Sequence, residues 1–381
     1  MFAVQQLVEC RRDSIDAVLE EWQSRWPTLC VLALLPEKEK SHVPLLQRCA
    51  NRLNLPLIGA IFPALLGQPG FMTEGAWLLC LERAPARFLL ADLQDQGQAR
   101  LVEAIQAAHQ QTWPDALENC TLFTIFDAMV PNIGSLMEQV HVSLAEQPRY
   151  LGVSAGSETF QPMPCLFDNE KIVGNGVLGI LLPNAPRAVV CHEYSVSESR
   201  FWASSSHGNR IESIDNRPAF EVYQALVKSE YGVDLTRDNF YQLAVHFPFG
   251  VMTAVDVLVR IPVSLGDDGS LYCVGEIPPH SMLRLLCAPK QNDSRCIQVI
   301  QSAFAETAQF TDPHPLFFFY CAGRKLHFEE HAATELEQVK RATNCSNLYG
   351  ALSLGEIDSL DELLLPRFHN AALVCWPQRT R

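Results

Sequence analysis

Three stretches of this chain repeat one order of elements, and that recurrence limits the fold more than any single motif does. Each is an apolar strand, a polar loop, an amphipathic helix and a second short strand that ends in a small-residue turn. The first runs from Thr28 to Pro36 (TLCVLALLP), continues in a helix over Val43 to Asn54, and closes with PLIGAIFP at Pro63. The second joins TLFTIFD (Thr121 to Asp127), a helix within NIGSLMEQVHVSLAEQ, and RYLGVSAG. The third joins PLFFFYCAG (Pro315 to Gly323), the helix AATELEQVKRAT, and LYGALSLGEI. A further apolar strand follows each unit: AWLLCL from Ala76, GVLGILL from Gly176 and AALVCW from Ala371. In the helices Leu45, Leu46, Cys49 and Leu53, and again Leu336, Val339 and Ala342, fall at spacings of three and four and form one buried stripe. The pattern predicts an α/β (mixed α+β) fold of repeated strand-helix-strand-strand modules, with mixed sheets and helices on one face.

Between the second and third modules, from about Val189 to Pro289, alternation broken by Gly, Asp and Pro predicts a central region of short antiparallel hairpins. Its strands read RFWAS, RIESID, VMTAVDVLVRIPV and SLYCVGEI, with a turn at Asp267 to Gly269. One helix interrupts them, PAFEVYQALVKSEYG, with Pro218 at its start and Gly232 at its end. Another, CIQVIQSAFAETAQ from Cys296, leads into the third module, and PKQNDS (Pro289 to Ser294) reads as a loop tip.

With 29 basic and 43 acidic residues the net charge is −14, which disfavours nucleic acid and anionic lipid as partners. Apolar runs such as LFFFYCA from Leu316 reach seven residues, far short of a membrane-spanning helix. The N-terminus shows no secretion signal, and the expected location is the cytoplasm. Thirteen cysteines without a CxxC, several of them inside apolar runs (Cys30, Cys80, Cys191, Cys321, Cys375), read as buried small hydrophobes in a reducing compartment.

Three catalytic-looking motifs dissolve in context. GNGVLG (Gly174 to Gly179) has the dinucleotide spacing but is followed by ILLPNAP, a strand, not a helix. GVSAG (Gly152 to Gly156) places Ser154 in the nucleophile-elbow pattern, yet SETFQPMPCLF after it has no helical period. HFEEH (His327 to His331) sets two imidazoles four apart with no third ligand nearby, and reads as a solvated helix entrance. Neither Ser154 nor Cys321 has a visible base, so no enzyme is expected. His42, His109, His141, His207 and His314 fall in polar contexts and read as surface residues. His192, His246 and His369 interrupt apolar strand-like ones, where an imidazole must bond or ligate something.

The order of these pieces resembles the FIST family of paired N-terminal and C-terminal sensory domains. RIESIDNRPAFEVY, HFPFGV, VLVRIPVSLGDDGSLYCVGEIP, FYCAGR, GALSLGEI and RFHNAALV carry the likeness in the C-terminal half; PLIGAIFPALL and YLGVSAGSETFQPMPCLFDNEKIVGNGVLGILL carry it in the N-terminal half. The resemblance implies two tightly packed domains, residues 1–187 and 188–381. It implies a ligand-binding sensor whose output passes to a partner, a histidine kinase or a cyclic-di-GMP enzyme (diguanylate cyclase or phosphodiesterase). The chain is also similar to the nitric-oxide-sensing haemoproteins of this family, which implies non-covalent haem. Candidate axial ligands are His192, His246 and His369, with Phe62, Trp202, Phe247 and Phe249 supplying an apolar slot. The alternative is a sensor of a small polar metabolite such as an amino acid, held by Ser154, Arg324, Ser353 and Glu356; in a bland reading Arg324 and Glu356 pair with each other. The sequence leaves the oligomeric state open, a dimer included.

Overall fold

A computed structural model describes residues 2–376 apart from 69, 94–95, 113–116, 184, 254–256, 290–294, 307–313 and 360–364. The expected loop tip at PKQNDS therefore lies largely outside the described residues. The three modules form three six-stranded sheets of identical layout. In the first, the parallel pair Cys30–Pro36 and Leu57–Phe62 is flanked on one side by the antiparallel return strand Ala76–Leu81 and the edge strand Val4–Val8. In the second, the pair is Cys120–Asp127 and Arg149–Ala155, with Val177–Pro183 and Arg87–Leu90 beside it. In the third, His314–Cys321 and Cys345–Ser353 pair, with Leu373–Trp376 and Val189–Cys191 beside them. Each central pair is parallel because a helix returns the chain between its strands: Val43–Arg52, Ile133–Ser143 and His331–Thr343. A further helix precedes each pair, over Arg12–Arg25, Gly97–Thr112 and Arg295–Glu306.

The other side of each sheet is completed by a short hairpin from a different module. Leu65–Gly67 and Gly70–Met72 of the first module join the third sheet; Leu166–Asp168 and Ile172–Val173 of the second join the first; Glu356–Asp358 and Arg367–His369 of the third join the second. The exchange is cyclic, and it crosses the division at residues 187 and 188, since Leu66 pairs with Gly350 and Val153 with Glu356.

One glycine recurs at the same register in the three parallel pairs: Gly59 opposite Ala33, Gly152 opposite Thr124, Gly350 opposite Phe318. A Cβ at these positions would stand 2.5, 2.8 and 1.9 Å from the partner carbonyl oxygen. The close approach of the two backbones admits only glycine there. The sheets bury an aromatic core in which Phe123, Phe317, Phe319 and Trp376 stack at centroid distances of 4.8 to 6.3 Å.

The central region forms a separate antiparallel sheet of nine strands, inserted between the third module's edge strand and its first helix. Its helix Ala219–Tyr231 starts after Pro218 and ends at Gly232, which takes φ 70°. Phe220, Tyr223 and Val227 on that helix pack into the sheet with Phe201 and Phe249. Among the described residues no helix is long and apolar enough to cross a membrane.

Neither glycine motif opens a helix: the first turns into a strand and the second runs along one. Gly179 is within Val177–Pro183, where a Cβ would enter the Phe88 ring, and Ser154 is within Arg149–Ala155. HFEEH is not one helical turn: the helix Ala322–Phe328 stops at Glu329, which takes φ 50°, and a new helix begins at His331.

Candidate functional site

The strand Cys345–Ser353 ends in a glycine turn that feeds the exchanged strand Glu356–Asp358 onto Arg149–Ala155. This crossing brings Ser154, Ser353 and Glu356 together. Ser154 N–H donates to the Gly355 carbonyl at 2.8 Å and Leu354 N–H to the Ser154 carbonyl at 2.9 Å. Ser353 Oγ donates to Glu356 Oε1 at 2.5 Å, Ala372 N–H to Oε2 at 3.2 Å, and the Cys321 thiol also donates to this carboxylate. Glu356 is fully buried, and among the described residues no arginine or lysine bridges to it. Burial pushes its carboxyl up to about 7, against the opposing pull of the Ser353, Ala372 and Cys321 hydrogen bonds and of the neighbouring His369. The Ser154 hydroxyl, one residue along from Glu356's strand partner Val153, is buried with no hydrogen-bond partner.

Arg324 is not part of this constellation. Its guanidinium forms a two-pronged bridge to Glu335, at 2.7 and 2.9 Å, and the Tyr320 hydroxyl donates to the same carboxylate at 2.6 Å. A remaining nitrogen donates to the carbonyls of His192, at 2.9 Å, and Ala371, at 3.3 Å. The residue is wholly buried and its charge is satisfied by this network. The expected pairing of Arg324 with Glu356 is therefore replaced by Arg324 with Glu335. The sequence hides this because Glu335 belongs to the following helix, eleven positions on.

Beside the Glu356 cluster lies a cleft of about 40 Å³ between the third module and the inserted sheet. Cys321, Gly323, Leu354 and Asn370 line one wall, Val245 and Ile261 the other. The Cys321 thiol thus faces both the cleft and Glu356. Asn370 holds the two bodies together, donating to the carbonyls of Val259 and Val274 at 3.0 Å each. Arg260 adds a bond across to the Phe368 carbonyl at 3.0 Å, and its bond to the Glu276 carbonyl at 2.8 Å stays within the inserted domain.

The haem candidates are dispersed. Phe62 lies in the core of the three-sheet body, 5.8 Å from Phe319. Phe249 packs on Tyr223 inside the inserted domain, Phe247 stacks on Tyr231 at 4.8 Å, and Trp202 is 52% exposed. His192 and His369 are ring neighbours at 6.3 Å, whereas His246 pairs elsewhere, its Nδ1 2.7 Å from His327 Nδ1. His192 Nδ1 accepts the Tyr194 N–H at 3.1 Å. His369 Nε2 is bonded to Asp358 Oδ1 at 3.0 Å. These residues do not form a single haem slot, and the cleft is far below the roughly 300 Å³ at which ligand pockets begin.

The histidine pair His246–His327 was not visible in the sequence, where His327 reads as half of HFEEH. Burial and then the neighbouring His246 hold the His327 imidazole down to about 4, and burial lowers His246 as well. All thirteen cysteines are free thiols.

Two family models match the chain, the FIST N domain over residues 28–217 and the FIST C domain over residues 219–359. No curated protein matches it.

Proposed function

Because the chain belongs to the FIST family, whose domains are sensory ligand-binding domains of signal-transduction proteins, we propose that it senses a small amine-bearing metabolite such as an amino acid. The observation that carries this reading is Glu356, a buried carboxyl that no lysine or arginine bridges among the described residues and whose one charged neighbour is His369, joined through Cys321 to a cleft between two packed bodies. An ammonium group delivered there gains charge-assisted hydrogen bonds to Glu356.

The cleft admits little more than water as it stands, so binding requires the inserted sheet to part from the third module. Separation strains the Asn370 and Arg260 contacts, and a ligand that prefers the parted form shifts the population toward it. The change of surface is then read by a separate signalling enzyme, a histidine kinase or a cyclic-di-GMP enzyme.

The test is a thermal-shift screen of amino acids and simple amines on the full chain and on Glu356→Gln. The expected result is a saturable rise in melting temperature with one ligand class, absent in the variant. An equal rise in both proteins, or none in either, overturns the assignment. Haemin is titrated in parallel: one haem per chain, lost in His246→Ala, would favour the haem-sensing reading over the metabolite one.

A further inference from the structure

The first module carries, on the side of Glu37–His42, a group of side chains that the ligand site does not use. Cys10 follows the edge strand Val4–Val8, while Glu39 and His42 stand on the short 3-10 helix Glu37–His42. The Cys10 sulfur, a Glu39 carboxylate oxygen and a His42 ring nitrogen all lie within 4.8 Å of one another. His42 Nδ1 is 2.7 Å from Glu39 Oε2, and the Cys10 thiol hydrogen-bonds to the same carboxylate. The flanking cations are engaged elsewhere: Arg11 with Glu9, Lys38 with Glu74 and Lys40 with Glu37. The three donors are each half-buried, so the group is held in place yet reachable from solvent.

We propose that Cys10, Glu39 and His42 bind one divalent transition-metal ion, zinc by preference. A thiolate and an imidazole select a borderline-soft ion, and the single carboxylate is too little for calcium or magnesium, which need a shell of oxygens. Tetrahedral bonds to zinc set the donors about 3.5 Å apart, a spacing to which the His42–Glu39 pair opens from 2.7 Å and which the 4.8 Å limit on the group already spans. Binding exchanges the thiol proton for the metal, the proton leaving to solvent, and water takes the fourth position. The ion ties the end of the edge strand to the first crossover, so its effect is to fasten the Val4–Val8 strand and the helix that follows it.

Cobalt(II) is the probe. The full chain, stripped with chelator, is titrated with Co²⁺ and followed by the thiolate-to-cobalt charge-transfer band. One Co²⁺ per chain with that band, displaced by Zn²⁺, is expected. His42→Ala, a change at a partly exposed position, should weaken binding at least tenfold, and Cys10→Ser should remove the band. No band in the wild-type chain, or a band retained in both variants and so due to another of the thirteen cysteines, overturns the proposal.

Discussion

Glu356 makes the stability of this protein depend on pH in a way that one substitution isolates. Its carboxyl is raised from 4.5 to about 7 in the fold. The folded state therefore favours the protonated form, and the contribution to stability is complete below pH 4.5 and is lost as pH rises through 7. A rise of this size corresponds to about 3 kcal/mol lost across that interval. Glu356→Gln removes the ionisation but leaves an amide group facing the donors Ser353 and Ala372, a mismatch that costs about 1–2 kcal/mol at every pH. The wild-type chain should then be the more stable at pH 4.5 and the variant the more stable at pH 8, with the two curves crossing between. The assay is urea denaturation of both proteins at half-unit steps from pH 4.5 to 8.5, taking the difference at each pH so that other titrating groups cancel. A difference that stays constant across the range refutes the reasoning, because it means that Glu356 is not held protonated by burial.

Two further outcomes follow from the buried polar networks. Glu335→Gln strands the Arg324 guanidinium inside the third module and should cost about 3–5 kcal/mol in denaturant unfolding, whereas Glu337→Gln on the same helix, an exposed carboxylate paired with Lys340, should change stability by less than about 1 kcal/mol. The His327 imidazole, lowered to about 4, favours its neutral form in the fold, so its contribution is present above pH 6.5 and is lost as pH falls toward 4. An NMR titration of the imidazole protons should find His327 still neutral at pH 5, and a midpoint near 6.5 would show that it is not buried against His246.

The parts of the fold legible in the sequence were those with long-period signals. The parallel pairs are fully apolar runs such as CVLALLP and LIGAIF, buried on both faces, and the helices between them carry one apolar stripe. The edge strands escaped notice because VQQLV and RFLL are short and only partly buried, so neither alternation nor a solid apolar run marks them. The hairpin exchange was illegible for a different reason: strands of two or three residues choose partners far away in sequence, and no local pattern names the partner. At the site, Ser154 and Ser353 sit at the ends of the second strand of their parallel pairs, and Glu356 opens the strand that follows Ser353 and crosses to the strand of Ser154. Arg324 misled because its true partner lies beyond a helix break that Glu329, at φ 50°, creates without any glycine or proline to announce it.

The cyclic exchange of hairpins makes the three modules mutual hostages. The segment 1–187 expressed alone would leave Arg149–Ala155 as a bare edge, lacking Glu356–Asp358, and would leave Leu65–Gly67 with no sheet to complete. Either defect exposes a template for aggregation. The same ring also defines a closed mechanical circuit. A displacement at Glu356 presses on Arg149–Ala155; that module's hairpin rests on Leu57–Phe62; and the first module's hairpin rests on Cys345–Ser353, the strand that leads back into Glu356. The strand ladder that starts at the proposed site thus runs through all three sheets and returns to its origin, so a ligand there would meet the whole perimeter through paired backbone alone.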